Sequence, residues 1–172
     1  MINILKHEEI YDTIFTEMIP SAKKYIWIAT ADIKDLYVKQ GRGMIPFLDV
    51  LSDKIKSGVL VRLIHAKEPG PQFRKDFDRH PELIHSLERM LCPRNHMKLI
   101  IVDGKKAFMG SANLTGAGMG MKSKNTRNFE TGLYTDDKEQ VKEISDIYDN
   151  LWMGSHCKSC RRKSYCAESL EN

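Results

Sequence analysis

No run of apolar residues in this 172-residue chain is long enough to cross a membrane. The first residues, Met1-Ile2-Asn3-Ile4-Leu5-Lys6-His7-Glu8-Glu9, lack the hydrophobic segment of a secretory leader. A cytoplasmic protein without membrane insertion is therefore the expectation. A strong charge imbalance is missing too. Lys and Arg number 27 against 23 Asp and Glu, and a net charge of +4 is compatible with a nucleic-acid partner without requiring one. Cysteine is scarce, at four residues, and three of the four crowd into the last segment of the chain. In a reducing compartment such crowding points to metal binding rather than to disulfides. At this length the chain is one domain with a core of ordinary size.

Helical and strand periodicities alternate along the sequence. Ile10, Ile14, Phe15 and Met18 repeat at helical spacing until Pro20 stops them, and residues 25–30 (Tyr-Ile-Trp-Ile-Ala-Thr) are strand-like. Met44, Phe47, Leu48, Leu51 and Ile55 predict a helix closed by Gly58, and residues 59–65 predict the next strand. Val141, Ile144, Ile147, Tyr148 and Leu151 predict a late amphipathic helix capped by Asp136-Asp137. The coarse order is helix, strand, helix, strand, helix, hairpin, strand, helix. It predicts an α/β fold, a mixed β-sheet flanked by helices on both faces. Residues 1–153 form the folded domain and 154–172 a short cysteine-rich tail.

The densest information lies at His96-Met97-Lys98-Leu99-Ile100-Ile101-Val102-Asp103, followed by Gly110-Ser111-Ala112-Asn113. Residues 97–102 predict a buried strand, Asp103-Gly104-Lys105 a hairpin turn and residues 105–109 the return strand. Alternation across a strand puts His96 and Lys98 on one face and Met97, Leu99 and Ile101 on the other. Gly110 then opens a loop whose backbone can approach a ligand closely. A phosphodiester needs its charge neutralised and hydrogen-bond donors aimed at its non-bridging oxygens. Lys98 supplies the charge, Asn113 an amide and Ser111 a hydroxyl. His96 can attack phosphorus or protonate the leaving oxygen. Glu130 is a candidate to orient the imidazole. Asp103, a turn residue in this reading, holds the strand end. A lone strand histidine is usually structural and Gly-Ser-x-Asn is a common turn, but the two together in this order are hard to obtain by accident.

The pattern His96-x-Lys98-x4-Asp103-x6-Gly110-Ser111-x-Asn113 resembles the signature of the phospholipase D superfamily, without a gap or substitution. The resemblance implies catalysis without a metal ion: His96 attacks phosphorus to give a phosphohistidine, a second histidine protonates the leaving group, and water or an alcohol resolves the intermediate. It gives Lys98, Ser111 and Asn113 as phosphate ligands, Asp103 as part of the motif, and Glu130 as the family's later acidic residue. The likeness runs to about Trp152 and is nearest to the short single-motif endonucleases.

Only one complete motif is present. His65-Ala66-Lys67 shares the His-x-Lys spacing, but Gln72 stands where the aspartate belongs and no Gly-Ser-x-Asn follows. Two imidazoles then require a homodimer with the site on its two-fold axis. Between the phosphate-binding turn and Glu130, a glycine-rich and hence mobile loop carries Lys122, Lys124 and Arg127, expected to grip a nucleic-acid backbone, although a solvated loop would look the same. Arg74, Lys75 and Arg79 are a weaker basic cluster read as surface.

In the tail, Cys157-x2-Cys160-x5-Cys166 suits a structural zinc, with Cys92 or His156 as fourth ligand. The spacing also resembles an iron–sulfur staple, and free thiols are the bland alternative. Arg161-Arg162-Lys163 would add a basic surface. The leading expectation is a homodimeric endonuclease acting on DNA, with RNA as the second substrate. The alternatives are a phospholipase or phosphatidyltransferase, kept open by Met119 and Met121 near the site, and a catalytically silent nucleic-acid binding subunit. The missing membrane segment counts against the lipid-synthase branch.

Overall fold

Leu99–Val102 has no polar face, so any strand it forms needs cover on both sides. In the computed structural model, which describes residues 1–34 and 36–167, it lies at the centre of a seven-stranded sheet. The chain begins with β1 (Ile2–Lys6) and α1 (Glu8–Asp12), which runs through a π-helical stretch, Thr13–Met18, into α2 (Ile19–Ser21). There follow β2 (Tyr25–Thr30), a separate hairpin of β3 (Tyr37–Gln40) and β4 (Gly43–Pro46), α3 (Phe47–Lys56) and β5 (Leu60–His65). Next come α4 (Pro71–Phe77), α5 (Pro81–Ser86), β6 (Leu87–Leu91), β7 (Leu99–Val102), β8 (Lys106–Gly110), β9 (Thr131–Thr135) and α6 (Lys138–Trp152).

The sheet order is β1-β9-β8-β7-β2-β5-β6. β2, β5 and β6 are parallel neighbours, and the other pairings are antiparallel. One face carries Ile26, Ile28, Val61, Leu63, Ile100 and Val102 against Ile10, Ile14, Met18, Phe47, Leu48 and Leu51. The other carries Ala29, Ile64, Leu99, Ile101 and Ala107 against Val141, Ile144 and Tyr148 of α6. The mixed sheet with helices on both faces agrees with the sequence. Asp137 caps α6, accepting hydrogen bonds from Glu139 N–H and Gln140 N–H.

Several elements differ from expectation. β1 was not foreseen because it is an edge strand whose Ile2 and Ile4 are exposed, which hides its apolar alternation. Met44 belongs to β4 rather than to α3, since Pro46 disfavours helical backbone in the residue before it and α3 starts at Phe47. One predicted helix after β5 is two, α4 and α5, and β6 follows α5 without a connecting loop. The β7–β8 turn has the expected position, residues 103–105: Asp103 and Gly104 both adopt positive φ, 54° and 62°, and Lys105 N–H closes the turn on the Val102 carbonyl.

Candidate active site

Antiparallel pairing of β7 with β8 returns the chain to the level at which it left, and Gly110 N–H donates to the Lys98 carbonyl at 3.1 Å. That bond brings the two halves of the motif together. His96 and Lys98 arrive on the extended segment before β7, and Ser111 and Asn113 on the loop after β8. Lys98 is 8 % exposed, whereas His96 is open to solvent. The Lys98 Nζ lies 3.1 Å from each ring nitrogen of His96 and 2.8 Å from its carbonyl oxygen. Burial pushes the Lys98 ammonium below its ordinary pKa, against the opposing pull of the Glu130 carboxylate. A desolvated cation of this kind is a strong partner for an anion entering the site.

Ser111 Oγ donates to the Glu130 carboxylate and accepts from Thr131 N–H at 3.1 Å. Asn128 donates to the same carboxylate at 3.0 Å. Glu130 thus orients the serine; within one chain it does not hold the imidazole, as the sequence reading had it. The Asn113 Oδ1 accepts from Asp32 N–H at 3.2 Å and from Thr30 Oγ1 at 3.4 Å, which leaves the –NH2 end of the amide for an anion.

The motif glycine has a reason other than ligand approach. A Cβ at Gly110 would meet the Thr131 carbonyl oxygen at 2.6 Å and the Gly132 Cα at 2.8 Å, so β9 can lie against β8 only if this residue has no side chain. Asp103 stands at the far end of β7 and accepts from the N–H groups of Lys23, Lys24 and Tyr25 at 2.8–2.9 Å.

Two positioning residues escaped the sequence reading. Asn95 is 3 % exposed; its amide donates to the carbonyls of Thr30 and Ile64, and its Oδ1 accepts from Met97 N–H at 3.1 Å. It fixes the segment that carries His96. Thr30 receives the N–H of Leu114 on its hydroxyl and so seats the Asn113 loop on the end of β2. The only signal available for Asn95 was its place next to the histidine.

The basic loop is more ordered than its glycines predicted. Met119 is buried in the core, Met121 packs against it, and Asn128 N–H donates to the Ala117 carbonyl. Lys122 and Lys124 are exposed, but Arg127 forms an ion pair with Glu8 at 2.8 Å and is not free for a substrate. Arg74 and Arg79 are likewise paired, with Glu68 and Asp76. The zinc knuckle also requires correction. Among the described residues no three His, Cys, Asp or Glu side chains are arranged to hold a metal ion, so Cys157, Cys160, Cys166 and Cys92 or His156 do not converge on one point. The tail's last residues, 168–172, lie outside the described residues.

The sequence and the fold both have counterparts among known proteins. Residues 15–152 match a family model described as "Cardiolipin synthase, PLD-like domain". The chain belongs to the phospholipase D superfamily. It is 31 % identical over 126 residues to a protein of Bacillus subtilis named as a probable cardiolipin synthase, YwiE; the match takes in 66 % of this chain but only 24 % of that relative. Two solved structures are similar in fold. NucT from Helicobacter pylori has a TM-score of 0.64 and 18 % identity, covering 89 % of this chain and 96 % of its own. Nuc from Salmonella typhimurium, a phospholipase D family member, has a TM-score of 0.64 and 18 % identity over 89 % of this chain and 95 % of its own. In this superfamily member no helix among the described residues is long and apolar enough to cross a membrane.

Proposed function

We propose that this protein is a metal-independent phosphodiesterase that hydrolyses nucleic acid, DNA before RNA, in a site completed by a second copy of the chain. The observation that carries the reading is the exposed His96 ring over the buried Lys98 ammonium, with the Ser111–Glu130 pair and the Asn113 amide on the adjoining loop. A neutral ring nitrogen of His96 attacks phosphorus while Lys98, Asn113 and Ser111 hold the non-bridging oxygens. The P–O bond to the leaving group breaks, and that oxygen takes a proton from the partner's imidazole. Water then attacks the phosphohistidine, returns the proton to the same imidazole, and frees His96. Two of the chain's other histidines are engaged elsewhere. His65 is buried with its Nδ1 against the Lys67 carbonyl, and His80 is paired with Asp49.

Three observations favour nucleic acid. The fold likeness spans nearly the whole length of NucT and Nuc, Lys122 and Lys124 are exposed cations on the loop after the motif, and buried Met119 offers nothing to a lipid surface. A second reading, transfer or hydrolysis of phospholipid headgroups, rests on the sequence likeness to the probable cardiolipin synthase. A silent binding subunit has no use for the complete set His96, Lys98, Ser111 and Asn113.

The test is cleavage of plasmid, single-stranded DNA and RNA in EDTA, with His96→Ala alongside and phosphatidylglycerol turnover in parallel. Nicking that survives EDTA and vanishes in the variant is expected. Strict Mg2+ dependence overturns the histidine mechanism, and lipid turnover with inert nucleic acid establishes the second reading.

A further inference from the structure

The phosphodiesterase reading uses none of the four cysteines. Cys92 follows β6 and precedes the motif, whereas Cys157, Cys160 and Cys166 lie beyond α6. The fold nevertheless brings all four to one cavity of about 250 Å3. The thiols are unpaired and each is half-buried. His96 and Met97 form the motif side of this cavity, and Ile147 and Leu151 of α6 give it an apolar wall. Arg94 and Lys163 are its cations. Every cysteine of the chain thus faces one space, although two separate regions of sequence must meet for this to happen.

A single zinc ion wants its ligands around one point, about 2.3 Å from each sulfur. No three candidate ligands among the described residues are so arranged. A cubane cluster has a different requirement: each iron takes one thiolate, so four thiols need to face a common cavity rather than a common atom. The surroundings fit such a group. Met97, Ile147 and Leu151 give it an apolar side, two cations offset its negative charge, and Arg162 N–H already donates to the Cys160 sulfur at 3.4 Å, the type of bond that tunes a ligating thiolate. Cys166 Sγ lies 3.8 Å from the Leu91 carbonyl, and the Arg162 guanidinium reaches the Pro93 carbonyl at 3.3 Å, so the tail touches the β6–β7 connection on both sides of Cys92.

We propose that Cys92, Cys157, Cys160 and Cys166 bind a four-iron, four-sulfide cluster that staples the C-terminal tail to the segment carrying His96. Iron and sulfide are supplied from outside, and each thiol loses its proton on ligation; the protein undergoes no change in oxidation state. The cluster is structural, and it makes the position of the motif segment sensitive to oxidants that destroy such clusters. The proposal does not depend on the phosphodiesterase reading, because His96→Ala is expected to leave the cluster in place.

The full chain, purified without oxygen, is assayed for iron, acid-labile sulfide and zinc, and its visible absorption is followed on reduction with dithionite. Roughly four irons and four sulfides per chain are expected, with a brown chromophore that bleaches on reduction. Cys92→Ser and Cys160→Ser should lose the chromophore, and His156→Ala should keep it. Since cysteine variants can fail to fold, the metal content of the wild-type chain decides the matter by itself. One zinc per chain without sulfide overturns the proposal, and so does a metal-free chain whose four thiols titrate freely and take up no cluster from iron and sulfide.

Discussion

Replacing Asp103 by alanine separates anchoring from chemistry. Its carboxylate accepts three backbone N–H groups, from Lys23 at 2.9 Å, Lys24 at 2.8 Å and Tyr25 at 2.9 Å, and ties the β7–β8 turn to the start of β2. Hydrogen bonds to a charged acceptor contribute about 1.5–3 kcal/mol each; discounted for partial exposure, the three together are worth roughly 2–4 kcal/mol. Alanine also tolerates the left-handed φ of 54° less well than aspartate, at a further cost of about 1 kcal/mol. At roughly 2–4 °C per kcal/mol for a domain of this size, Tm should fall by about 6–20 °C. Asp103→Asn keeps an acceptor oxygen and the left-handed preference and should lose about half as much. Five residues of extended chain separate Asp103 from Lys98, roughly 16 Å at about 3.3 Å per residue, too far for Asp103 to touch a phosphate held there. Below the Tm of the variant, kcat should therefore stay within a few-fold of wild type. Burial pushes the Asp103 carboxyl up, but the N–H groups of Tyr25, Lys23 and Lys24 prevail and hold it below the ordinary 3.8. Its contribution is complete above that value and is lost as pH falls through the folded-state pKa, so the difference between wild type and Asp103→Ala should close in acid. Thermal melts at several pH values with initial rates alongside make the test. An unchanged Tm with abolished activity would put Asp103 in the chemistry and refute the argument.

Glu130→Gln removes the carboxylate that opposes the effect of burial on Lys98, so the ammonium should deprotonate at lower pH and the alkaline limb of kcat/KM should shift down; an unmoved limb denies Lys98 a role in the ionised form. Gly110→Ala forces a methyl against the Thr131 and Gly132 backbone and should cost about 1–3 kcal/mol, read as a lowered denaturation midpoint, whereas a neutral effect would mean that β9 yields freely. If both imidazoles of a dimer are needed, wild type refolded with an equal amount of His96→Ala should retain about a quarter of the activity per subunit mixed, while independent sites retain about half.

The hairpin and α6 were legible because their signals are local. Asp103-Gly104 is a turn pair between apolar runs, and Asp137 begins a helix whose apolar positions recur every three to four residues. β1 and the β3–β4 hairpin were not, because edge and peripheral strands expose residues such as Ile4, Tyr37 and Met44, and alternation then carries little information. In the site, the types of residue and their order could be read, but their partners could not. That Glu130 would bind Ser111, that Arg127 would be claimed by Glu8, and that Asn95 would hold the strand ends of β2 and β5 all depend on which distant segments the sheet makes neighbours.

The spacing of the motif is itself a measure of the fold. Lys98 to Asp103 is one crossing of the sheet along β7, and Asp103 to Gly110 is the turn and the crossing back along β8. Asp103 fixes the turning point, so the outward and return lengths must match if Ser111 and Asn113 are to arrive beside Lys98. Gly110 closes the circuit twice, through its N–H to the Lys98 carbonyl and through the bare Cα that lets Thr131 and then Glu130 come alongside. One residue more or fewer on either strand would turn every following side chain to the opposite face and carry the serine and the asparagine away from the lysine. The intervals in the motif are therefore set by the length of a hairpin, and only the residues at one end of that hairpin by the chemistry of a phosphodiester.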